Sequence, residues 1–174
     1  KLLGAQRDSV QCDNTSGGYL HTPLEQVLKN VEISRPSGIG GIKLKVGQPD
    51  GRLDLERVAA VRKHLGDDAP LMVDANQQWS RPTAQRMCRA LEPFDLVWIE
   101  EPLDAHDYEG HGLLAERFDT AIATGEMLTC FEEHAHLIEA GTDFIQPDAP
   151  RVGGITPFLK IMALGEMKRR KLAP

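Results

Sequence analysis

Little in this sequence points to a disulfide framework, a membrane span or a phosphate-binding surface. The three cysteines, Cys12, Cys88 and Cys130, are odd in number and form no CxxC pair. Neither a set of bridges nor a zinc site is therefore indicated, and a reducing cytoplasm is the expected compartment. No apolar run approaches the roughly 18 residues that a membrane span requires, and the opening KLLGAQRDSV has no apolar signal-peptide core. Basic charge is in deficit: 20 Lys and Arg stand against 26 Asp and Glu, for a net charge of -6. Nucleic acid is excluded as the main partner on that ground, because phosphate binding needs a basic surface. A glycine-rich phosphate loop is missing as well. Gly38-Ile39-Gly40-Gly41 precedes a strand instead of following one, and Gly153-Gly154 lies outside a GxGxxG frame. A doubly wound sheet normally carries such a loop after its first strand.

What is present is an ordinary globular composition, 41% hydrophobic and 26% charged over 174 residues, enough for one domain with a core. Short β-rich runs at 9–12, 41–46, 71–74, 96–100, 121–124 and 144–146 predict six strands. Helical segments separate them. Thr22-Pro23-Leu24-Glu25 supplies a capping hydroxyl, a first-turn proline and a capping-box glutamate ahead of Leu24, Val27, Leu28 and Val31 on one face. Thr129 with Glu132 repeats the capping pattern, Ser80 precedes a helix with Ala84, Met87, Cys88 and Leu91 on one side, and Thr156-Pro157 opens another. Strict alternation of β and α units implies a parallel sheet covered by helices.

Chemistry-bearing residues fall at the ends of these runs. Lys45, Asp74, Glu100, Glu126 and Asp148 follow one another at steps of 29, 26, 26 and 22 residues. A barrel of eight strand-helix units takes about 30 residues per unit and gathers its strand ends on one face. Asp74, Glu100 and Glu126 would then share a mouth, where crowded carboxylates repel unless protonated or bound to a cation, and an all-oxygen set suits a hard ion such as Mg²⁺. Lys43 and Lys45 flank Leu44, so both point to the same face of their strand; if Leu44 faces the helices, both ammonium groups face the interior. A second ammonium and a metal nearby would lower a lysine pKa toward the duty of a base. Asp148 could orient a histidine, although an aspartate in a Pro-Asp-Ala-Pro loop is by itself more often a turn residue.

Lys43-Leu44-Lys45, Val73-Asp74-Ala75-Asn76, Trp98-Ile99-Glu100-Glu101-Pro102, Gly125-Glu126 and Pro147-Asp148 with Gly153-Gly154 resemble the mandelate racemase branch of the enolase superfamily, in order and over the whole chain. Finer wording, Ser16-Gly17-Gly18-Tyr19-Leu20-His21-Thr22-Pro23 and residues 146–154, is similar to the galactarate/L-talarate dehydratases of that branch. The resemblance implies a partial (β/α)8 TIM-type barrel over residues 1–174, about six βα units of a C-terminal-type barrel domain without the N-terminal capping domain and the last strands. It implies a carbon-oxygen lyase that dehydrates an acid sugar. Mg²⁺ would be held by Asp74, Glu100 and Glu126 and would stabilise the enediolate left by removal of the α-proton, after which the β-hydroxyl departs to give a 2-keto-3-deoxy acid. Lys45 would be one acid/base, Lys43 would lower its pKa, and Asn76 would lie near the metal or substrate. Such enzymes are commonly multimeric, so a homo-oligomer is expected.

In these relatives the second acid/base is a histidine that directly follows the segment matching Lys171-Leu172-Ala173-Pro174 and pairs with Asp148. None of His21, His64, His106, His111, His134 or His136 occupies that place. This chain alone is therefore expected to be impaired. A racemase or epimerase using the same proton abstraction, and a non-catalytic truncated barrel, are the alternative readings.

Overall fold

Apolar runs of two to five residues alternate with capped amphipathic segments, and the backbone follows that alternation in a computed structural model describing residues 8–10, 12–15, 18–34 and 41–174. The order is β1 (Asp13–Asn14), α1 (Leu24–Ser34), β2 (Gly41–Lys45), α2 (Gly51–Leu65), β3 (Leu71–Asp74), α3 (Arg81–Leu91), β4 (Ile99–Glu100), α4 (Tyr108–Arg117), β5 (Ile122–Thr124), α5 (Phe131–Ala140), β6 (Phe144–Ile145), α6 (Ile155–Met167) and β7 (Lys171–Leu172). All seven strands form one sheet in sequence order, and every pair is parallel. A doubly wound sheet would reverse its strand order at a switch point. No reversal occurs here, and the architecture is the partial barrel of six βα units, followed by a seventh strand.

That seventh strand adds to the six counted from β-rich runs and falls at Lys171-Leu172-Ala173-Pro174, a segment whose sequence reads as the opening of another strand. Lys171 and Leu172 pair with Phe144 and Ile145, a ladder too short to announce itself by alternation. The first strand also lies elsewhere than at 9–12: Asp13 and Asn14 pair with Gly41 and Ile42, while Val10 is exposed, so its β-propensity loses to the register set by β2. Gln11 of the expected strand, Ser16 and Gly17 of the first-loop motif, and Gly38 to Gly40 lie outside the described residues.

Two capping expectations are replaced by neighbouring contacts. The Thr22 hydroxyl accepts the Tyr19 N–H at 3.0 Å, and Glu25 pairs with Lys29 across one exposed turn of α1. At α5 the partner of Thr129 is Glu133 and not Glu132: the Glu133 carboxylate accepts both the N–H and the hydroxyl of Thr129. At α6 the helix begins at Ile155 after Gly154, so Thr156 and Pro157 lie within its first turn, and Ser80 before α3 makes no side-chain cap hydrogen bond. Asp50 accepts the Arg52 N–H at the head of α2, Arg62, Lys63 and His64 sit in its last turn where the helix dipole favours cations, and α3 opens after Ser80 with a proline in its first turn.

Alternation along the strands divides the core in two. Leu44, Leu71, Val73, Ile99 and Ile122 pack against the helices together with Val58, Val61, Ala84 and Leu91. Met72, Trp98 and Ala123 form a separate cluster on the opposite face of the sheet, with Phe144 and Ala173 against it. Side chains of period two belong either to the helix layer or to this interior layer, and the polar residues at the rim continue the interior face.

Candidate active site

Parallel pairing places every strand's carboxyl end on the same rim, and the register aligns the charged residues there. Lys45 pairs with Asp74, and Asp74 with Glu100. Because Leu44 is fully buried in the helix-side core, Lys43 and Lys45 project to the interior. Lys45 Nζ donates to Asp74 Oδ2 at 2.5 Å; Lys43 Nζ donates to Glu100 Oε1 at 2.5 Å and stands 3.9 Å from Asp74 Oδ2. Both carboxylates are wholly buried. Glu126 lies just past β5, beyond Gly125 at φ 128°, a backbone conformation that a side chain would strain. It lines a cleft of ≈ 870 Å³ together with Lys43, Lys45, Asn14, Thr15 and Tyr19. The Tyr19 wall is pinned from beneath, since the Arg57 guanidinium donates to the carbonyls of Tyr19, Leu20 and Thr22, and Gln48 donates to Leu20 O.

Electrostatics at the rim are set by burial and by an excess of anions. Burial works against the charge on Lys43, but Glu100, Asp74 and Glu126 outweigh it and raise its pKa above the ordinary lysine value. Glu100 is pushed up by burial and by Asp74, with Lys43 and Gln146 pulling the other way. Glu101 is pushed up to about 7 by burial first, then by Glu126 and Asp74.

Among the described residues, no three His, Cys, Asp or Glu side chains stand grouped to hold a metal ion; the lysine ammonium groups lie against the oxygens of Asp74 and Glu100. The donor chemistry still fits a hard divalent cation. It consists of carboxylate oxygens alone, on adjoining strand ends, with mutual repulsion already visible in the raised carboxyl groups.

The remaining expected residues divide. The Asn76 N–H donates to Asp74 Oδ1 at 2.9 Å, and its side chain donates to Glu101, so it belongs to the rim. Asp148 is exposed, accepts the Arg151 N–H at 2.9 Å and is not among the residues lining the cleft. Four residues given no role from the sequence also belong to the cluster. The Trp98 indole and the Gln146 amide both reach Glu100, and Gln77 donates to Glu101 Oε1 at 3.0 Å. Glu101 itself is buried; the signal for it was a second carboxylate ahead of Pro102. Asn76, Gln77 and Glu101 all carry left-handed backbone angles, φ 43°, 64° and 43°, and are tied by Gln77 N–H to Glu101 O at 2.8 Å. Three such non-glycine residues side by side store strain at the rim that the surrounding bonds hold in place.

The Enolase C-terminal domain-like family matches residues 26–174. The chain is 70% identical to the L-talarate/galactarate dehydratase of Salmonella typhimurium, an alignment covering 100% of this chain and 44% of that enzyme. It is 40% identical to a 3,6-anhydro-alpha-L-galactonate cycloisomerase of Streptomyces coelicolor, over 95% of this chain and 46% of the relative. Among solved structures, the L-talarate dehydratase of Polaromonas sp. JS666 complexed with Mg and L-glucarate superimposes with a TM-score of 0.97 at 69% identity, covering 99% of this chain and 49% of that one. The chain thus spans less than half the length of the curated relatives it matches.

Proposed function

Since this chain belongs to the Enolase C-terminal domain-like family, we propose that it is the barrel segment of an acid-sugar dehydratase acting on galactarate- or L-talarate-like substrates. The observation that carries the reading is the meeting of Lys43 and Lys45 with the buried carboxylates of Asp74 and Glu100 on one rim. Asp74, Glu100 and Glu126 would hold Mg²⁺, which when bound supplies positive charge against the substrate carboxylate.

The chain's own residues account for the first half of the reaction. Lys45, at the end of β2, acts as the neutral amine and becomes an ammonium on taking the proton from the carbon next to the carboxylate. Lys43 stands beside it and presents a second ammonium to the same anionic region. Asn76, held by Asp74, faces the substrate side of the rim. Loss of the β-hydroxyl as water and tautomerisation then leave a 2-keto-3-deoxy acid. A second acid/base, a histidine paired with Asp148, would serve the opposite face of the substrate in the longer enzyme.

Incubation with Mg²⁺ and galactarate or L-talarate in deuterated water tests the reading. Deuterium should enter the α-carbon, and Lys45→Ala should abolish the exchange. No exchange by this chain, together with no Mg²⁺-dependent rise in Tm, would remove the proposal. Stereochemical inversion without loss of water would favour the racemase or epimerase alternative.

A further inference from the structure

We infer that Trp98 and Gln146 are positioning residues that clamp one oxygen of Glu100 so that its other oxygen is the one offered to a cation, an inference that rests on the dehydratase reading above. The Trp98 indole N–H donates to Glu100 Oε2 at 2.9 Å, and the Gln146 amide donates to the same Oε2 at 3.0 Å. Lys43 meets the other oxygen, Oε1. Two neutral donors, one just past β6 and one just before β4, therefore hold Oε2 of the carboxylate from one side, and only Oε1 carries a charged partner. Such outer contacts orient a ligand and tune what it binds.

The clamp is held rigidly. Trp98 is buried between Met72 and Ala123, and its ring lies 5.0 Å from that of Phe144, which in turn carries the Lys171 ammonium 4.8 Å above it. Gln146 is 8% exposed, and its Oε1 is buried with no hydrogen-bond partner. Among the described side-chain contacts, the hydrogen bond that this amide makes is the one to Glu100. The amide is better explained by the donor it aims at Glu100.

Mg²⁺ titrations of this chain, followed by Tm and by calorimetry, separate aiming from mere packing. Trp98→Phe keeps the ring against Phe144 and removes the N–H; Gln146→Met keeps the volume and removes the amide. Each should weaken the apparent Mg²⁺ Kd by about tenfold, while the metal-free Tm changes little. A variant that loses metal-free Tm but binds Mg²⁺ as the parent does would reduce that residue to a structural role and overturn the inference. Should Trp98→Phe fail to fold, Gln146→Met decides alone. A parent chain with no Mg²⁺ response removes the dehydratase reading and the clamp with it, whereas a responsive parent beside two equally responsive variants removes only the clamp.

Discussion

Arg62 gathers more of the backbone than any residue of the rim does. From the last turn of α2 its guanidinium donates to the carbonyls of Phe94, Gly66, Ala69 and Asp95 at 2.7–3.1 Å, which ties the segments before β3 and β4 to one helix. Arg62→Met should leave those acceptors short of donors and lower stability by about 3 kcal/mol in urea unfolding. His111 gives the pH dependence. It is fully buried on α4, its Nδ1 faces the Asp107 carbonyl at 2.9 Å, and burial lowers its pKa below the ordinary 6.5. His134 on α5 is lowered for the same reason. Below about pH 6.5 the unfolded chain takes up protons that the folded one resists, so this contribution is present above that pH and is lost as pH falls. The urea midpoint should drop between pH 7.5 and 5.5, and His111→Asn should flatten the drop. At this scale the lysines were legible, since one intervening Leu44 fixes their face. Gln146 was not, because its partner lies 46 residues away and is reached only through strand register, whereas Trp98 stands two residues before Glu100 and shares its face by simple alternation.

Between elements, the closest approach is that of α4 to α5. A Cβ placed on Gly112 would stand 2.1 Å from the Ala140 carbonyl oxygen, a contact only glycine permits without moving backbone. Gly112→Ala should force the two helices apart and lower stability by about 1–3 kcal/mol, read as a fall in Tm with no change in Mg²⁺ response. Helix starts were legible where local chemistry decides them, as at Ser80-Arg81-Pro82. They were misread where two adjacent acids compete, as Glu132 and Glu133 do for Thr129, because helix phase decides which of them reaches back. Strand ends were legible as carboxylates after apolar runs. The opening of β7 at Lys171 was legible as well, whereas β1 was misplaced, since its position at Asp13–Asn14 follows its pairing with Gly41 and Ile42.

For the molecule as a whole, the barrel order was legible in the rhythm of charged strand ends, and the sequential sheet agrees with it. Among the described residues, β1 and β7 each pair on one side only. Strand edges of this kind recruit other chains. Elution from a size-exclusion column should therefore move earlier as protein concentration rises, and an invariant monomer position would count against association through the edges. No helix among the described residues is long and apolar enough to cross a membrane.

The strand order also bears on how the chain comes to its shape. Among the described residues each strand joins only those next to it in the sequence, and the paired positions stand 21 to 29 residues apart. Closing a loop between neighbours costs less chain entropy than closing one across the whole polypeptide, so sequential pairing eases the search for native contacts.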